Sequence, residues 1–248
     1  MKINQFLDAT YLKTVAQAGV SEHENLCNIL QLAEEAIVFN YKLIMIRSNY
    51  ITIVKRVLAD AKSAVLLGTV IDFPEGKSSI EEKLQEAQKA IDLGADELDF
   101  VVNYAAFKEG NIHLVTNEVI NCIALCLRYH KVSKFIIEVA ALSNEEIIVI
   151  SQLIKQIVLE NFGEKNAKNV FVKSSTGFFK TEENLPNGAT LENMKLICKN
   201  AKPLRIKAAG GVRDCATALK MISVGVDRIG TSSAKEICTK QESNNTEY

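Results

Sequence analysis

The stretch "NVFVKSSTGFF", Asn169 to Phe179, decides how the rest of the chain is read. Val170, Phe171 and Val172 form a short apolar run between the turn-prone Asn169 and Gly177, as expected of a strand buried on both faces. The run ends in Lys173, and a buried ammonium is costly unless it is paired or gives up its proton. Further on, "LRIKAAGGV", Leu204 to Val212, repeats the design: a short apolar strand carrying Lys207, then small residues and glycines. Between the two lies the helix-periodic "TLENMKLICKNA", so strand, helix and strand form one unit.

Working outward, the same unit fills the chain. The predicted strands are "INQFLDAT", "YKLIMIRS", "SAVLLGTVIDF", "DELDFVVN" and "SKFIIEVAAL", then the sixth and seventh above, then "DRIGTS". Each is followed by a helix-periodic segment. The first of these opens with Ser21 and Glu24 in a capping-box pattern, and the third stops at Gly94. Eight such units in 248 residues predict an α/β fold of the (β/α)8 TIM-barrel class. A doubly wound open sheet is the competing architecture, but no GxGxxG follows an early strand. Residues 1–238 read as one barrel domain. The polar "TKQESNNTEY" at 239–248 reads as a mobile tail.

Composition removes whole classes of function. The net charge of −1 supplies no basic field for nucleic acid or an anionic membrane. No apolar run reaches bilayer length, and the N-terminus lacks a signal-peptide pattern. The six cysteines stand without CxxC pairs and read as reduced thiols of a cytoplasmic protein. Cys122 and Cys126 share a helix face, where core packing is the plainer reading than metal binding. His23, His113 and His130 fall in helices or their flanks, which argues against a histidine-built metal site or a Ser-His-Asp triad.

In a barrel the carboxyl ends of the strands converge on one mouth. The residues there are Asp8, Arg47, Asp72, Asp99, Asn103, Glu138, Lys173, Lys207, Gly210, Gly211, Ser232 and Ser233. Adjacent strands place Lys173 and Lys207 close together. A like charge and burial both disfavour an ammonium, so one lysine becomes a nucleophilic amine suited to a carbonyl substrate. The plainer alternative is that each lysine pairs with Asp99 or Glu138 and does no chemistry. The glycines after strand seven and the "GTSSAKE" of strand eight stand where barrels bind phosphate. Ser233 and Glu236 there fit a capping box that leaves backbone N–H groups at Ser232 and Ser233 free.

With these motifs in view, the chain resembles the 2-deoxyribose-5-phosphate aldolases, class I aldolases of barrel fold. "FVKSSTGF" resembles their Schiff-base segment, with Ser174 where threonine is common. "KAAGGVR" matches the second-lysine segment, "GADELDFVVN" the acidic fourth strand, and "LDATYLK" the N-terminal motif, with Ala9 where histidine is common. The resemblance implies that Lys173 forms the Schiff base, Lys207 perturbs its pKa, and Asp99 activates a water and shuttles protons. Gly177, Gly210, Gly211, Ser232, Ser233, Asp8 and Thr10 would hold the substrate and its phosphate. Family members often end in a tyrosine on a tail that folds over the mouth, which implies a proton-transfer role for Tyr248. The resemblance implies no metal and no organic cofactor, with a sugar phosphate and acetaldehyde as small-molecule partners. A homodimer or other homo-oligomer stays open. Met45, Arg47 and Ser48 stand where the family often has cysteine, asparagine and proline. Val139 and Ala140 stand where a small polar residue is usual. These departures bear on substrate range. A Schiff-base barrel aldolase for another sugar phosphate and a non-catalytic sugar-phosphate-binding barrel are the alternatives.

Overall fold

The computed structural model describes residues 2–182 and 185–245. Eight parallel strands close into a barrel in sequence order. They are β1 (Leu7–Tyr11), β2 (Leu43–Ile46), β3 (Leu66–Ile71), β4 (Glu97–Val101), β5 (Val132–Ile136), β6 (Val170–Lys173), β7 (Arg205–Ala209) and β8 (Arg228–Thr231). The helices between and after them are Glu22–Phe39, Ile51–Asp60, Ile80–Asp92, Ile112–Arg128, Asn144–Phe162, Leu191–Ala201, Cys215–Ser223 and Ala234–Asn245. Each expected strand and helix is present, with shorter strands than the apolar runs suggested. "INQFLDAT" is the largest correction: Ile3–Phe6 forms a 3-10 turn, and the strand starts only at Leu7. Short helices at Val15–Ala18 and Tyr104–Lys108 were not expected. The last helix crosses the boundary placed at Cys238 and continues to Asn245.

Local chemistry explains the helix starts. Ser21 with Glu24, Ser79 with Glu82 and Ser143 with Glu146 each form a reciprocal capping box, so orphan backbone donors are satisfied on both sides. Outward side chains of the strands, such as Ile44, Leu67, Leu98, Phe135, Val172, Ile206 and Ile229, join the helices' inner faces in one continuous core. Cys122 and Cys126 are buried in that core, and every cysteine is free. Among the described residues no His, Cys, Asp and Glu cluster could hold a metal, and no helix is long and apolar enough to cross a membrane.

The barrel interior divides in two. On the β2–β3 side Leu43, Met45 and Val70 pack with Leu12 in a separate apolar cluster, roofed by Phe73 and Phe178. On the β4–β8 side the inward positions carry Glu97, Asp99, Lys134, Lys173, Lys207 and Arg228, and Asp8 of β1 faces them. An ordinary barrel fills these layers with branched apolar residues. A buried ionic layer across β4 to β8 and β1 marks where the fold trades stability for chemistry.

Candidate active site

Register sets the first contact. Lys173 and Lys207 are direct partners across β6 and β7, and Asp99 is the partner of Lys134 across β4 and β5. All four side chains point inward and meet. Asp99 Oδ2 accepts from Lys173 Nζ and from Lys207 Nζ at 2.8 Å each, and Asp99 Oδ1 accepts from Lys134 Nζ at 2.7 Å. Gly230 on β8 makes room for this. A Cβ there would stand 3.0 Å from Lys207 Cε and 3.3 Å from Ala209 Cβ, so Lys207 would have to give by a few tenths of an ångström.

Burial and charge then set the proton affinities. Lys173 is pushed down to about 8; burial is the largest cause, and the neighbouring Lys207 adds to it against the pull of Asp99. Burial alone would raise Asp99, but Lys134, Lys173 and Lys207 outweigh it and hold the carboxyl well below the usual range. An amine with a weakened hold on its proton beside a carboxylate that favours its charged form is a prepared nucleophile.

Lys173 alone of the four opens onto solvent. It lines a cavity of about 520 Å³ at the mouth, which Gly210, Gly211 and Ser232 also line. Gly177 and Thr10 border the same space. Gly210 has φ 84°, and a Cβ on it would lie 2.8 Å from the Gly188 Cα, so both its conformation and its space demand glycine. Thr176, Asn187, Lys13 and Arg213 also line the cavity. They were missed as site residues, although Lys13 and Arg213 lie inside the quoted "LDATYLK" and "KAAGGVR" segments.

Other expected residues are placed differently. Asp8 is fully buried below the cavity, where Arg228 and Lys207 hold it as a carboxylate, so it serves the ionic layer rather than the cavity wall. The Ser233 N–H donates to Thr231 Oγ1 at 2.9 Å and is not free for an anion, because the ST-type turn uses it. Arg47 donates to the carbonyls of Leu12 and Phe73 and lies over the Phe73 ring. Asp72 accepts from Ser78 and pairs with the buried Lys83, and Asn103 caps the helix Tyr104–Lys108. Glu138, in a left-handed conformation with φ 56°, accepts from the Thr176 N–H and hydroxyl, and burial raises its carboxyl. Tyr248 lies outside the described residues.

The sequence residues missed altogether in the ionic layer are Glu97, Lys134 and Arg228. Lys134 Nζ lies 2.7 Å from Glu97 Oε2, and Arg228 Nε donates to Asp8 Oδ1 at 2.6 Å. Glu97 and Asp99 stand two apart in "DELDF", the spacing that places two side chains on one strand face, and that signal was available.

No family model matches the chain. Individual relatives do. The deoxyribose-phosphate aldolase of Caldicellulosiruptor saccharolyticus is 34% identical over 241 residues, 96% of this chain and 98% of that one. That of Mycoplasma capricolum subsp. capricolum is 35% identical and spans 98% and 97% of the two chains. Among solved structures, the tetrameric deoxyribose phosphate aldolase of Aeropyrum pernix superposes with TM-score 0.77 at 25% identity, covering 98% of this chain and 92% of that one. A second solved aldolase superposes with TM-score 0.79 at 30% identity, covering 98% and 97%. With its closed barrel, its inward lysine pair and relatives of this identity along nearly its whole length, the chain belongs to the deoxyribose-phosphate aldolase family.

Proposed function

We propose that this chain is a class I aldolase that reversibly cleaves 2-deoxy-D-ribose 5-phosphate to acetaldehyde and D-glyceraldehyde 3-phosphate. The observation that carries the reading is the place of Lys173, buried against Lys207 and Asp99 and open on the cavity, an arrangement that lowers its proton affinity. The uncharged Nζ of Lys173 attacks C1 of the open-chain sugar and forms a carbinolamine. Loss of water gives the iminium. The C2–C3 bond then breaks, and its electron pair moves to C2 as the iminium becomes an enamine. The C3 hydroxyl gives up its proton, and glyceraldehyde 3-phosphate leaves. A proton adds to the terminal enamine carbon, and hydrolysis of the restored iminium frees acetaldehyde and Lys173.

Asp99 is fully buried, and both of its oxygens are taken by lysines. It therefore reaches the substrate through Lys173 or through a water in the cavity, passing protons along charge-assisted hydrogen bonds. The phosphate would sit against Gly210, Gly211 and Ser232, with Lys13 and Arg213 supplying positive charge at the cavity wall. The protonated imine is the electron sink, so the proposal calls for no metal and no organic cofactor.

Substrate profiling tests the reading. Purified protein incubated with deoxyribose 5-phosphate is expected to release acetaldehyde, and a panel of sugar phosphates that cannot yield acetaldehyde is expected to be turned over at least about a hundredfold more slowly, a difference of roughly 2.7 kcal/mol in transition-state binding. Faster cleavage of another sugar phosphate would assign the barrel to that substrate. Tight binding of the phosphate ester without turnover would assign it to sensing.

A further inference from the structure

The ionic layer under the cavity holds more bases than acids. Lys134, Lys173, Lys207 and Arg228 face Asp8, Glu97 and Asp99, and each of these seven residues is at most 3% exposed. The four bases are not held equally. Lys134 reaches three carboxylates, at 2.7 Å to Asp99, 2.7 Å to Glu97 and 3.6 Å to Asp8. Lys207 reaches two, Asp8 at 2.6 Å and Asp99 at 2.8 Å. Arg228 reaches two, Asp8 at 2.6 Å through Nε and Glu97 at 3.3 Å. Lys173 reaches one, Asp99 at 2.8 Å, and shares that oxygen with Lys207.

Two charged neighbours stand outside this run of ion contacts. Glu138, at the end of β5, turns one oxygen to Thr176, and burial raises its carboxyl while the nearby Lys173 works against that rise. Arg205 of β7 lies over the Phe171 ring at 5.5 Å, the ring that Lys134 and Arg228 also approach at 5.9 Å each, and it adds positive charge at the barrel floor.

We propose that Arg228 is a positioning residue for the Schiff-base step: by occupying Asp8 and Glu97 it leaves the layer with one positive charge in excess, and Lys173 removes that excess by releasing its proton. Arg228 is the member that cannot yield a proton, because a guanidinium stays charged throughout the accessible pH range. Lys134 is enclosed by carboxylates, which outweigh its burial and strengthen its hold on its proton. Lys173 has the fewest carboxylate partners and alone opens on the cavity. Charge excess in a water-poor layer therefore discharges at the nucleophile. The effect passes from Arg228 through Asp8, Lys207 and Asp99 to Lys173, a continuous run of ion contacts.

The inference rests on Lys173 being the Schiff-base nucleophile, and the experiment separates the two claims. Borohydride trapping of the full-length protein with acetaldehyde, read by intact mass and peptide mapping, is followed against pH for the wild type and four variants. Trapping at Lys173 in the wild type with a midpoint near 8 supports the nucleophile itself; absence of trapping there defeats the functional reading before any variant is compared. Arg228→Met removes the excess charge, so the midpoint should move up by about one unit. Arg228→Lys keeps the charge and should leave the midpoint near that of the wild type. Glu97→Gln enlarges the excess, so the midpoint should move down. The double variant with Arg228→Met and Glu97→Gln restores the count and should return to the wild-type value. If Arg228→Met does not fold, Arg228→Gln, which keeps a donor for Asp8 while losing the charge, takes its place in the single and the double variant. Equal shifts for Arg228→Met and Arg228→Lys, shifts of the same sign for Arg228→Met and Glu97→Gln, or a double variant that stays displaced would overturn the role of Arg228 while leaving the nucleophile in place.

Discussion

One carboxylate organises the site. Asp99 accepts from three lysines, and the consequence differs for each partner. Lys134 and Lys207 have other carboxylates to hold them, whereas Lys173 has an ion contact with Asp99 alone, and burial pushes its proton affinity down. A lysine at the end of a buried strand is thereby made useful, since its proton is easily lost. The cavity wall opposite is as plainly divided by residue type. Gly210, Gly211 and Ser232 line it, and in the proposed reading they hold the phosphate. Ser232→Asp puts a carboxylate there, and like charges at contact range repel by about 1–4 kcal/mol, depending on the effective dielectric. The KM for deoxyribose 5-phosphate is expected to rise roughly tenfold, with turnover of unphosphorylated deoxyribose changed much less. Steady-state kinetics on both sugars checks this. Equal losses on the two would place the phosphate elsewhere.

At the scale of elements, the sequence was most legible where physics is local. The strand-and-lysine pattern of β6 and β7 could be read because apolar periodicity and the terminal lysine lie within a few residues of each other. The Ser21–Glu24 cap could be read for the same reason. Ile3–Phe6 was misread because its apolar residues suit a strand, while the chain there closes a 3-10 turn whose Ile3 packs into the core. Lys134 and Arg228 are not legible because their meaning depends on register across β4, β5 and β8 with β1, whereas Glu97 shares a strand face with Asp99 in "DELDF" and can be read there. A buried ion layer is a property of facing strands, and no single stretch displays it. Ser233 was assigned to phosphate from its place after β8, but the hydrogen bond of its N–H to Thr231 depends on turn geometry that a motif does not specify.

For the whole molecule, the ionic layer links activity to stability. Lys173 has a folded-state pKa of about 8 against an ordinary 10.5. Between those values the unfolded chain holds a proton that the folded chain has released. The unfolded state therefore binds more protons, and the contribution of this group to stability rises with pH across that window. Below about 8 both states hold the proton, and the folded state carries the buried excess charge. Lys173→Met removes that load and leaves Asp99 with Lys134 and Lys207. The variant is expected to be inactive yet more stable than the wild type near pH 7, by on the order of 2 kcal/mol, with the gap closing as pH rises towards about 10. Urea unfolding at about pH 7 and about pH 9.5 measures it. A gap that does not change with pH would mean that the proton on Lys173 is not linked to folding.

The central claim is that Lys173 attacks the carbonyl. Borohydride reduction of the wild type in the presence of acetaldehyde, followed by peptide mapping, reads it most directly. The account expects one ethyl group on Lys173 in the peptide containing "FVKSSTGF", and none in protein carrying Lys173→Met. An ethyl group on Lys207 or Lys134 instead, or no adduct in the wild type at saturating aldehyde, would contradict it.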